Sequence, residues 1–246
     1  MLICAAGDIH GAIDRMYDEI LAFEGSLGVR FDYVLHVGDF GIWPDPNRID
    51  KATRKHDQAG DFGKWFAERR TMPRKTIFIK GNHEDFDWLD EQLSDEILPG
   101  LHYLRNGRTI DLGERRDVVR VGGIGGCYSA SDYPRKSKQL RGSQKAHYTH
   151  DEIEALARGI DILLLHDAPA GVRFAAGHTS AAEGLRELIA RTRPLACFFG
   201  HHHERIDVNI TGVGTVCMGL NLIGRAGNLV AFDFARRAQF AGLGER

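Results

Sequence analysis

The stretch ICAAGDIHG, residues 3–11, decides the fold expected for this chain. Its first four residues are apolar, as in a short buried strand, and Gly7 ends the strand before two polar side chains, Asp8 and His10. An apolar run, a glycine and polar residues recur in the same order in FFGHHH, residues 198–203. Buried strands that end in a polar loop are typical of open α/β sheets, in which ligands bind at the carboxyl ends of the strands.

The rest of the chain alternates predicted strands and helices. The predicted strands are residues 2–6, 32–37, 76–80, 102–104, 109–112, 117–121, 161–166, 195–200, 206–210, 213–218 and 228–234. Helices are predicted near residues 12–24, 60–70 and 84–92, and two more begin at the capping boxes 149–152 (THDE) and 180–183 (SAAE). This alternation predicts an α/β fold.

The composition fits one globular domain over residues 1–246, with a tail at 235–246 that we expect to fray. Hydrophobic residues make up 43% and charged residues 27% of the 246 residues, with no compositional break. The net charge of −2 predicts no extended nucleic-acid-binding surface and no membrane attachment. Residues 2–6 are too short for a secretion signal, so the expected location is the cytoplasm; the oligomeric state is left open.

Twelve histidines stand against four cysteines in this sequence. Cys4, Cys127, Cys197 and Cys217 occur singly in apolar or glycine-rich runs, and no CxxC pair is present. This spacing argues against a thiolate zinc site and against a disulfide framework. We therefore predict that all four cysteines are small buried hydrophobic residues.

Five polar clusters follow predicted strands, and together they predict a metal centre. They are Asp8-Ile9-His10, Gly38-Asp39, Gly81-Asn82-His83-Glu84, His166-Asp167-Ala168-Pro169 and Gly200-His201-His202-His203. Each cluster alone could be a turn, a helix cap or a satisfied histidine. Together they supply carboxylate, amide and imidazole groups, which suit Mn²⁺, Fe²⁺, Zn²⁺, Co²⁺ or Ni²⁺. Seven candidate ligands are enough for two ions that share one carboxylate, and the preceding glycines allow a close approach of the backbone.

The motif order D-x-H, GD, GNH[D/E], H and GHxH resembles that of the calcineurin-like metallophosphoesterases, from residue 8 to residue 203. The resemblance implies an α/β four-layer sandwich of two mixed β-sheets flanked by α-helices. It implies that a first metal is held by Asp8, His10, Asp39 and His203. It implies that a second metal is held by Asp39, Asn82, His166 and His201. His83 would then be the catalytic histidine beside the scissile phosphate.

The resemblance also implies the activity. A phosphodiester or phosphomonoester would be cleaved by a hydroxide that bridges two divalent ions, with manganese as the first choice and iron, zinc, cobalt or nickel as alternatives. The expected substrate is a phosphate-ester small molecule, such as a nucleotide, or a nucleic-acid end. Glu84 and Asp167 could orient histidines. Alternatively, Glu84 could be a charge at a helix N-terminus and Asp167 could be a turn cap.

Two further segments could shape specificity. The basic stretch PRKSKQLRGSQK, residues 134–145, could bind additional phosphates through Arg135, Lys136, Lys138, Arg141 and Lys145, or could be a solvated loop. The segment 41–70 could overhang the metals as a lid, or could be an amphipathic helix packed on the surface.

The protein serine/threonine phosphatase branch shares the motifs at 7–11 and 81–84, but Phe40-Gly41-Ile42 replaces its GDxVDRG element, so phosphoprotein specificity is not expected.

Two other functions remain open at this point. The main alternative is a catalytically silent metal-binding or protein-interaction scaffold, and the other is a metallohydrolase of non-phosphate substrates. Every ligand position and His83 are filled, which favours an active phosphohydrolase.

Overall fold

The alternation of side chains in the first strand sets the layers of the fold. The computed structural model describes residues 1–56, 60–114, 117–210, 214–235 and 238–242. In β1 (Leu2–Ala6), Ile3 and Ala5 enter one apolar cluster while Cys4 and Ala6 enter another, because successive side chains of a strand point to opposite faces. All four are fully buried, so this strand is covered on both sides.

Strands and short helices alternate along the described residues. The strands after β1 are β2 (Tyr33–His36), β3 (Lys75–Phe78), β4 (Glu96–Leu98), β5 (Leu101–Tyr103), β6 (Thr109–Leu112), β7 (Val119–Ile124), β8 (Ile162–Leu165), β9 (Ala196–Phe199), β10 (Ile206–Asn209), β11 (Val216–Gly219), β12 (Leu229–Asp233) and β13 (Ala238–Gly242). The helices are α1 (Ile13–Leu27), α2 (Lys51–His56), α3 (Phe62–Ala67), α4 (Phe86–Glu91), α5 (His150–Ala155) and α6 (Glu183–Thr192).

These strands form two mixed sheets. The first has seven strands in the order β13-β12-β1-β2-β3-β5-β4, and the second has six in the order β10-β11-β9-β8-β7-β6. β1, β2 and β3 pair in parallel in the first sheet, as do β7, β8 and β9 in the second. Parallel neighbours end at the same edge of a sheet, so each sheet presents three consecutive loops at one edge.

The two sheets pack face to face with helices outside them. Side chains between the sheets include Ile3 and Val37 from the first and Leu164 and Phe198 from the second. The outer face of the first sheet packs on α1 and α3, and the outer face of the second packs on α5 and α6. The four-layer α/β sandwich predicted from the sequence is therefore confirmed. Among the described residues, no helix is long and apolar enough to cross a membrane.

Two local predictions differ from the structure. Residues 238–242 form a strand that pairs with β12, whereas the sequence predicted a frayed tail there; residues 236–237 and 243–246 of that tail lie outside the described residues. α6 begins at Glu183 without a side-chain cap, because the hydroxyl of Ser180 donates a hydrogen bond to the carbonyl of Ala168 at 2.7 Å instead. The other predicted capping box forms, and the backbone N–H of Thr149 donates to Glu152 Oε2 at 2.9 Å.

The segment 41–70 packs against the first sheet and its helices. Phe62 and Trp65 of α3 are buried in the apolar cluster on that face. The carboxylate of Asp61 accepts hydrogen bonds from the backbone N–H groups of Ile13 and Asp14, at 3.0 and 2.8 Å, and so caps the first turn of α1. For α3, this packing matches the amphipathic-helix interpretation.

A buried ion pair fixes α1 to the start of β3. Arg74 donates to both carboxylate oxygens of Glu24, which also accepts from the backbone N–H of Phe31 at 2.7 Å. Burial raises the pKa of Glu24, but the bonds from Arg74 and Phe31 outweigh it and the net pKa lies below its usual value. We expect Arg74→Met to lower the free energy of unfolding by about 2–3 kcal/mol at pH 7, because it leaves a buried carboxylate unpaired.

Urea unfolding of the wild type and of the Arg74→Met variant between pH 7 and pH 3 tests this prediction. A lowered folded-state pKa means that the pair stabilises the fold above the unfolded-state pKa and loses this effect as the pH falls through the folded value. The difference between wild type and variant should therefore shrink in acid. Arg120→Met removes an exposed, solvent-screened pair with Asp111 and should leave the free energy of unfolding almost unchanged. Equal losses in the two variants would contradict the prediction.

Candidate metal centre

The carboxyl ends of five parallel strands bring the polar clusters together. Asp8 and His10 follow β1, Asp39 follows β2, and Asn82 follows β3. From the second sheet, His166 follows β8, while His201 and His203 follow β9. The two edges meet, because the backbone N–H of His201 donates to Asp8 Oδ2 across the sheets at 3.0 Å. All seven predicted metal ligands therefore lie around one site.

The first group of ligand atoms comes from Asp8, His10 and His203. His203 Nε2 lies 3.0 Å from Asp8 Oδ2 and 3.2 Å from His10 Nε2. Asp39 Oδ2 lies 3.7 Å from His10 Nε2 at the border of this group. These four residues are the set that the resemblance implied for a first ion.

The second group surrounds the other oxygen of Asp39. Asp39 Oδ1 lies 3.6 Å from His166 Nε2, and His166 Nε2 lies 2.9 Å from Asn82 Oδ1. The ring of His201 packs beside that of His166, with centroids 5.1 Å apart. Asp39 therefore directs one carboxylate oxygen toward each group.

The spacing of these atoms fits divalent ions. Oxygen and nitrogen ligands about 2.0–2.2 Å from one ion and roughly 90–110° apart lie roughly 2.8–3.6 Å from each other. His166 Nδ1 lies 2.9 Å from the carbonyl oxygen of Val37, which can only accept, so Nδ1 carries a proton and Nε2 is the ring nitrogen available to a metal. Nε2 lies 2.9 Å from Asn82 Oδ1, so the two atoms are close enough to share one ion.

The charge states of the residues also suit metal binding. Asp8 and Asp39 are 0% and 1% exposed. Burial alone would raise the pKa of Asp39, but His166 and His10 beside it lower the pKa to about 2. Burial lowers the pKa of His201 to about 4. The site thus offers an ionised carboxylate and a neutral imidazole at neutral pH, which are the forms that bind metal.

The backbone is strained at four of the candidate ligands. The φ angles are 46° at His10, 52° at Asp39, 64° at His201 and 51° at His203. Residues with a side chain adopt this left-handed region rarely and at a cost of roughly 1–3 kcal/mol. Such strain is typical of positions where the surrounding structure fixes a functional side chain.

Glycines allow the strand ends to approach this closely. A Cβ at Gly81 would lie 2.0 Å from Asp39 Oδ1, and one at Gly200 would lie 2.1 Å from Asp8 Oδ1. At Gly38 the nearest atom would be Nδ1 of His166, at 2.5 Å. The expected role of these glycines in close approach is confirmed.

A model of the calcineurin-like phosphoesterase family matches residues 1–205 of the chain. The chain belongs to this family. Its members depend on a binuclear metal centre, and the two groups of ligand atoms around Asp39 accord with that requirement. The metallophosphoesterase assignment made from the motifs is thereby confirmed.

The curated relatives include lariat debranching enzymes. The chain is 30% identical to the enzyme of Schizosaccharomyces pombe over 227 residues, which cover 85% of this chain and 43% of that protein. It is 26% identical to the enzyme of Drosophila melanogaster over 232 residues, which cover 82% of this chain and 43% of that protein. The chain thus spans less than half the length of these relatives.

Solved structures share the fold. The protein TT1561 of Thermus thermophilus superposes with a TM-score of 0.63 at 13% identity, with 98% of both chains covered. The calcineurin-like phosphoesterase YfkN from Bacillus subtilis has a TM-score of 0.50 at 15% identity, with 97% of this chain and 87% of that chain covered. At these identities the likeness supports the four-layer architecture alone.

Glu84 orders a loop, and no histidine is among its hydrogen-bond partners in the part of the chain that the structure describes. Its carboxylate accepts hydrogen bonds from the backbone N–H groups of Phe40, Gly41 and Ile42 at 2.9, 3.0 and 2.6 Å. Burial and the nearby charge of Asp39 raise the pKa of Glu84 to about 8, against the effect of these donors. The prediction for Glu84 is corrected in this respect: it fixes the loop that follows Asp39.

Asp167 does contact a histidine, but not a candidate ligand. It accepts from the backbone N–H of Tyr128 at 2.9 Å, and its Oδ1 lies 3.1 Å from His202 Nε2. The ring of His202 stacks on Phe174 with centroids 3.9 Å apart and lies 4.8 Å from the ring of His201. Asp167 therefore supports the centre through the packing of His202.

His83 lies beside the ligand groups and is held by α2. Its Nδ1 atom is hydrogen-bonded to the hydroxyl of the buried residue Thr53 at 2.8 Å, and its backbone N–H donates to Asp39 Oδ1 at 2.8 Å. Its ring lies 5.2 Å from that of His10. The segment 41–70 thus reaches the site through Thr53, a contact that no sequence pattern indicated.

No sequence motif assigned Cys127 to this site. Its Sγ atom lies 3.1 Å from Asn82 Oδ1 and 3.5 Å from both ring nitrogens of His201. The interpretation as a small buried residue is right for Cys4, Cys197 and Cys217, which are fully buried, but wrong for Cys127. Its position just after β7 is the available signal, because the neighbouring parallel strands carry His166 and His201 at the same edge.

The basic segment is partly neutralised by the protein itself. Arg135 pairs with Asp132, Arg141 donates to the carbonyls of Lys138 and Leu140, and Lys145 pairs with Asp87 and Asp90. The side chains of Lys136 and Lys138 are exposed. Lys138 and Lys145 line a cavity of about 290 Å³ with the buried residue Lys80, and none of the seven candidate ligands lines it. Phosphate binding by this segment stays a prediction.

The close approach at Gly81 generates a test. We expect Gly81→Ala to weaken metal binding by about tenfold or more, because the added Cβ displaces the carboxylate of Asp39. Competition against a chelator, followed by metal analysis, measures the affinity. Gly25→Ala is the matched control, because a Cβ there meets open space in α1. Unchanged affinity in a folded Gly81→Ala protein would refute the steric argument.

Proposed function

We propose that this chain hydrolyses phosphodiester bonds in nucleic acid, at a branch point or an end, with two divalent ions. The observation that carries the proposal is the pair of ligand groups on either side of Asp39, with His83 next to them. The names of the curated relatives, lariat debranching enzymes, support a branched substrate.

We assign the ligands as the resemblance implied. The first ion is bound by Asp8, His10, Asp39 and His203, and the second by Asp39, Asn82, His166 and His201. Two bound ions polarise phosphoryl oxygens and activate a water molecule at neutral pH. The protein contributes two carboxylate charges. It also contributes imidazole rings in which the nitrogen facing away from the ion is held by a hydrogen bond, as Nδ1 of His166 is held by the carbonyl of Val37.

His83 stabilises the negative charge that develops at the phosphate and donates a proton to the leaving group. Its bond to Thr53 engages Nδ1 and fixes the ring, so that Nε2 is the atom assigned to the substrate. With the hydroxyl of Thr53 as acceptor of Nδ1–H, the ring can also carry a proton on Nε2 and donate it to the leaving oxygen. Such general-acid catalysis contributes about 10²–10⁴-fold to the rate.

Manganese is the first choice for the ions, with iron, zinc, cobalt and nickel as alternatives. Carboxylate, amide and imidazole ligands bind all of these ions, so the availability of each ion also contributes to which one the centre holds. We also propose that residues 1–246 form a single domain and that the protein works in the cytoplasm. Exposed Lys136 and Lys138 are the residues proposed to contact further phosphates, with Arg135 and Arg141 holding their loop.

The experiment compares substrates under the same metal conditions. The first is a branched oligoribonucleotide in which one nucleotide carries both a 2′,5′ and a 3′,5′ phosphodiester, and the second is its linear 3′,5′ counterpart. Bis-p-nitrophenyl phosphate and p-nitrophenyl phosphate complete the set. We expect cleavage with added Mn²⁺ and a higher kcat/KM for the branched oligonucleotide. Equal rates on the branched and linear substrates would refute the branch preference.

Two variants test the assigned roles. His83→Ala should keep both ions and lose about 10²–10⁴-fold in kcat. Asp39→Asn should lose most of the activity together with metal, since Asp39 contacts both groups. Metal analysis of each purified variant distinguishes the two effects. No turnover of any substrate by a protein that carries two ions would instead favour the silent scaffold.

The contact of Thr53 gives a separate prediction. Thr53→Val keeps the shape of the side chain but removes the hydrogen bond to His83, so we expect kcat to fall about 10-fold with little change in KM or metal content. Thr53→Ser restores a hydroxyl and should recover most of the rate. A lowered metal content in Thr53→Val, or an unchanged kcat, would show that Thr53 does not position His83.

A further inference from the structure

We propose that Cys127 is a fifth protein ligand of the second ion, beside Asp39, Asn82, His166 and His201. This inference rests on the proposed function, because it concerns the same binuclear centre. It adds a thiolate to a site whose sequence motifs contain only carboxylate, amide and imidazole ligands.

The position of Cys127 in the second sheet supports this role. β7, β8 and β9 are consecutive parallel strands, and Cys127, His166 and His201 follow them in that order. The backbone N–H of Cys127 donates to the carbonyl of Ala146 at 2.9 Å, and its carbonyl accepts from the N–H of Tyr148 at 3.3 Å. These bonds fix the residue, so its Sγ atom is held at the centre.

The distances fit a shared ion. An ion typically lies about 2.3 Å from a sulfur ligand and about 2.0–2.2 Å from an oxygen or nitrogen ligand. With an angle of roughly 90–110° at the ion, the two ligand atoms are roughly 3.0–3.7 Å apart. Sγ of Cys127 lies 3.1 Å from Asn82 Oδ1 and 3.5 Å from each ring nitrogen of His201. The ligand atoms of Cys127, His166 and His201 all lie within 4.8 Å of one another. Sγ of Cys127 thus lies within reach of an ion bound between Asn82 Oδ1 and His166 Nε2, which are 2.9 Å apart.

A simpler role would be a hydrogen bond from the thiol to Asn82. That role accounts for the contact of 3.1 Å, and Sγ then packs on the ring of His201, 3.5 Å from both of its nitrogens. A direct ligand keeps Sγ beside the same two neighbours. The two roles differ in one observable, which is whether a sulfur–metal bond forms.

A thiolate ligand would make the two sites unequal. The group of Asp8, His10, Asp39 and His203 has hard and borderline donors, which accept Mn²⁺ readily. A thiolate in the other group shifts its preference toward the softer ions Zn²⁺, Fe²⁺ and Co²⁺. The centre would then hold two different metals, one at each site.

Cobalt provides the test. The metal-free full chain is titrated with Co²⁺ while the near-ultraviolet region is monitored for a sulfur-to-cobalt charge-transfer band, and bound cobalt is counted by metal analysis. We expect the band in the wild type and its loss in both Cys127→Ser and Cys127→Ala. We also expect the affinity for the second equivalent of Zn²⁺ to fall by about tenfold or more in both variants. Circular dichroism checks that each variant is folded.

The remaining thiols serve as controls. Cys4, Cys197 and Cys217 are fully buried and are all retained in the Cys127 variants, and Cys217→Ala should keep the band. A band that persists in Cys127→Ser, or two bound cobalt ions without a band in the wild type, would overturn this inference while leaving the proposed function intact. A chain that binds no cobalt would overturn both. Hydrolysis without a band would overturn the thiolate ligand alone.

Discussion

The need to keep two ionised carboxylates buried governs the structure around the site. Asp8 and Asp39 are almost fully buried at the edge where the two sheets meet. Isolated buried charges are very costly, so each must be compensated locally. Asp39 Oδ1 accepts from the backbone N–H groups of Asn82 and His83 at 2.7 and 2.8 Å. Asp8 accepts from His201 across the sheets. The same bonds that compensate the charges therefore also join the strand ends.

This requirement explains the local geometry. The donor N–H groups reach the carboxylates only because Gly81 and Gly200 have no side chain, and only because His201 and Asp39 adopt left-handed backbone conformations. The loop after Asp39 is fixed in turn by the three backbone bonds to Glu84. Backbone bonds are not the only compensation: His203 contacts Asp8, and His166 and His10 lie beside Asp39. Divalent ions bound as proposed would add to this compensation, and metal binding would then stabilise this edge.

The sequence predicts the parts of the structure that depend on local pattern. The predicted strand at residues 2–6 coincides with β1, and the five motif clusters contain every ligand proposed by resemblance. β13 was missed, because AQFAG carries no strand pattern and depends on pairing with β12. Thr53 and Cys127 were missed for the same reason: their partners His83 and His201 lie 30 and 74 residues away. Contacts over such separations are determined by the fold: the sequence around Thr53 carries no sign of its contact, and for Cys127 the only signal is its position after a strand.

The distribution of charge indicates how the site would attract its substrate. The chain has a net charge of −2, and three cations of the basic segment, Arg135, Arg141 and Lys145, are engaged by acids or carbonyls of the protein itself. Without ions, the two buried carboxylates would repel a phosphodiester. With two divalent ions the sign of the local potential reverses. Binding of an anionic substrate would therefore depend on prior loading of the centre, and the affinity for substrate and the affinity for metal should rise together.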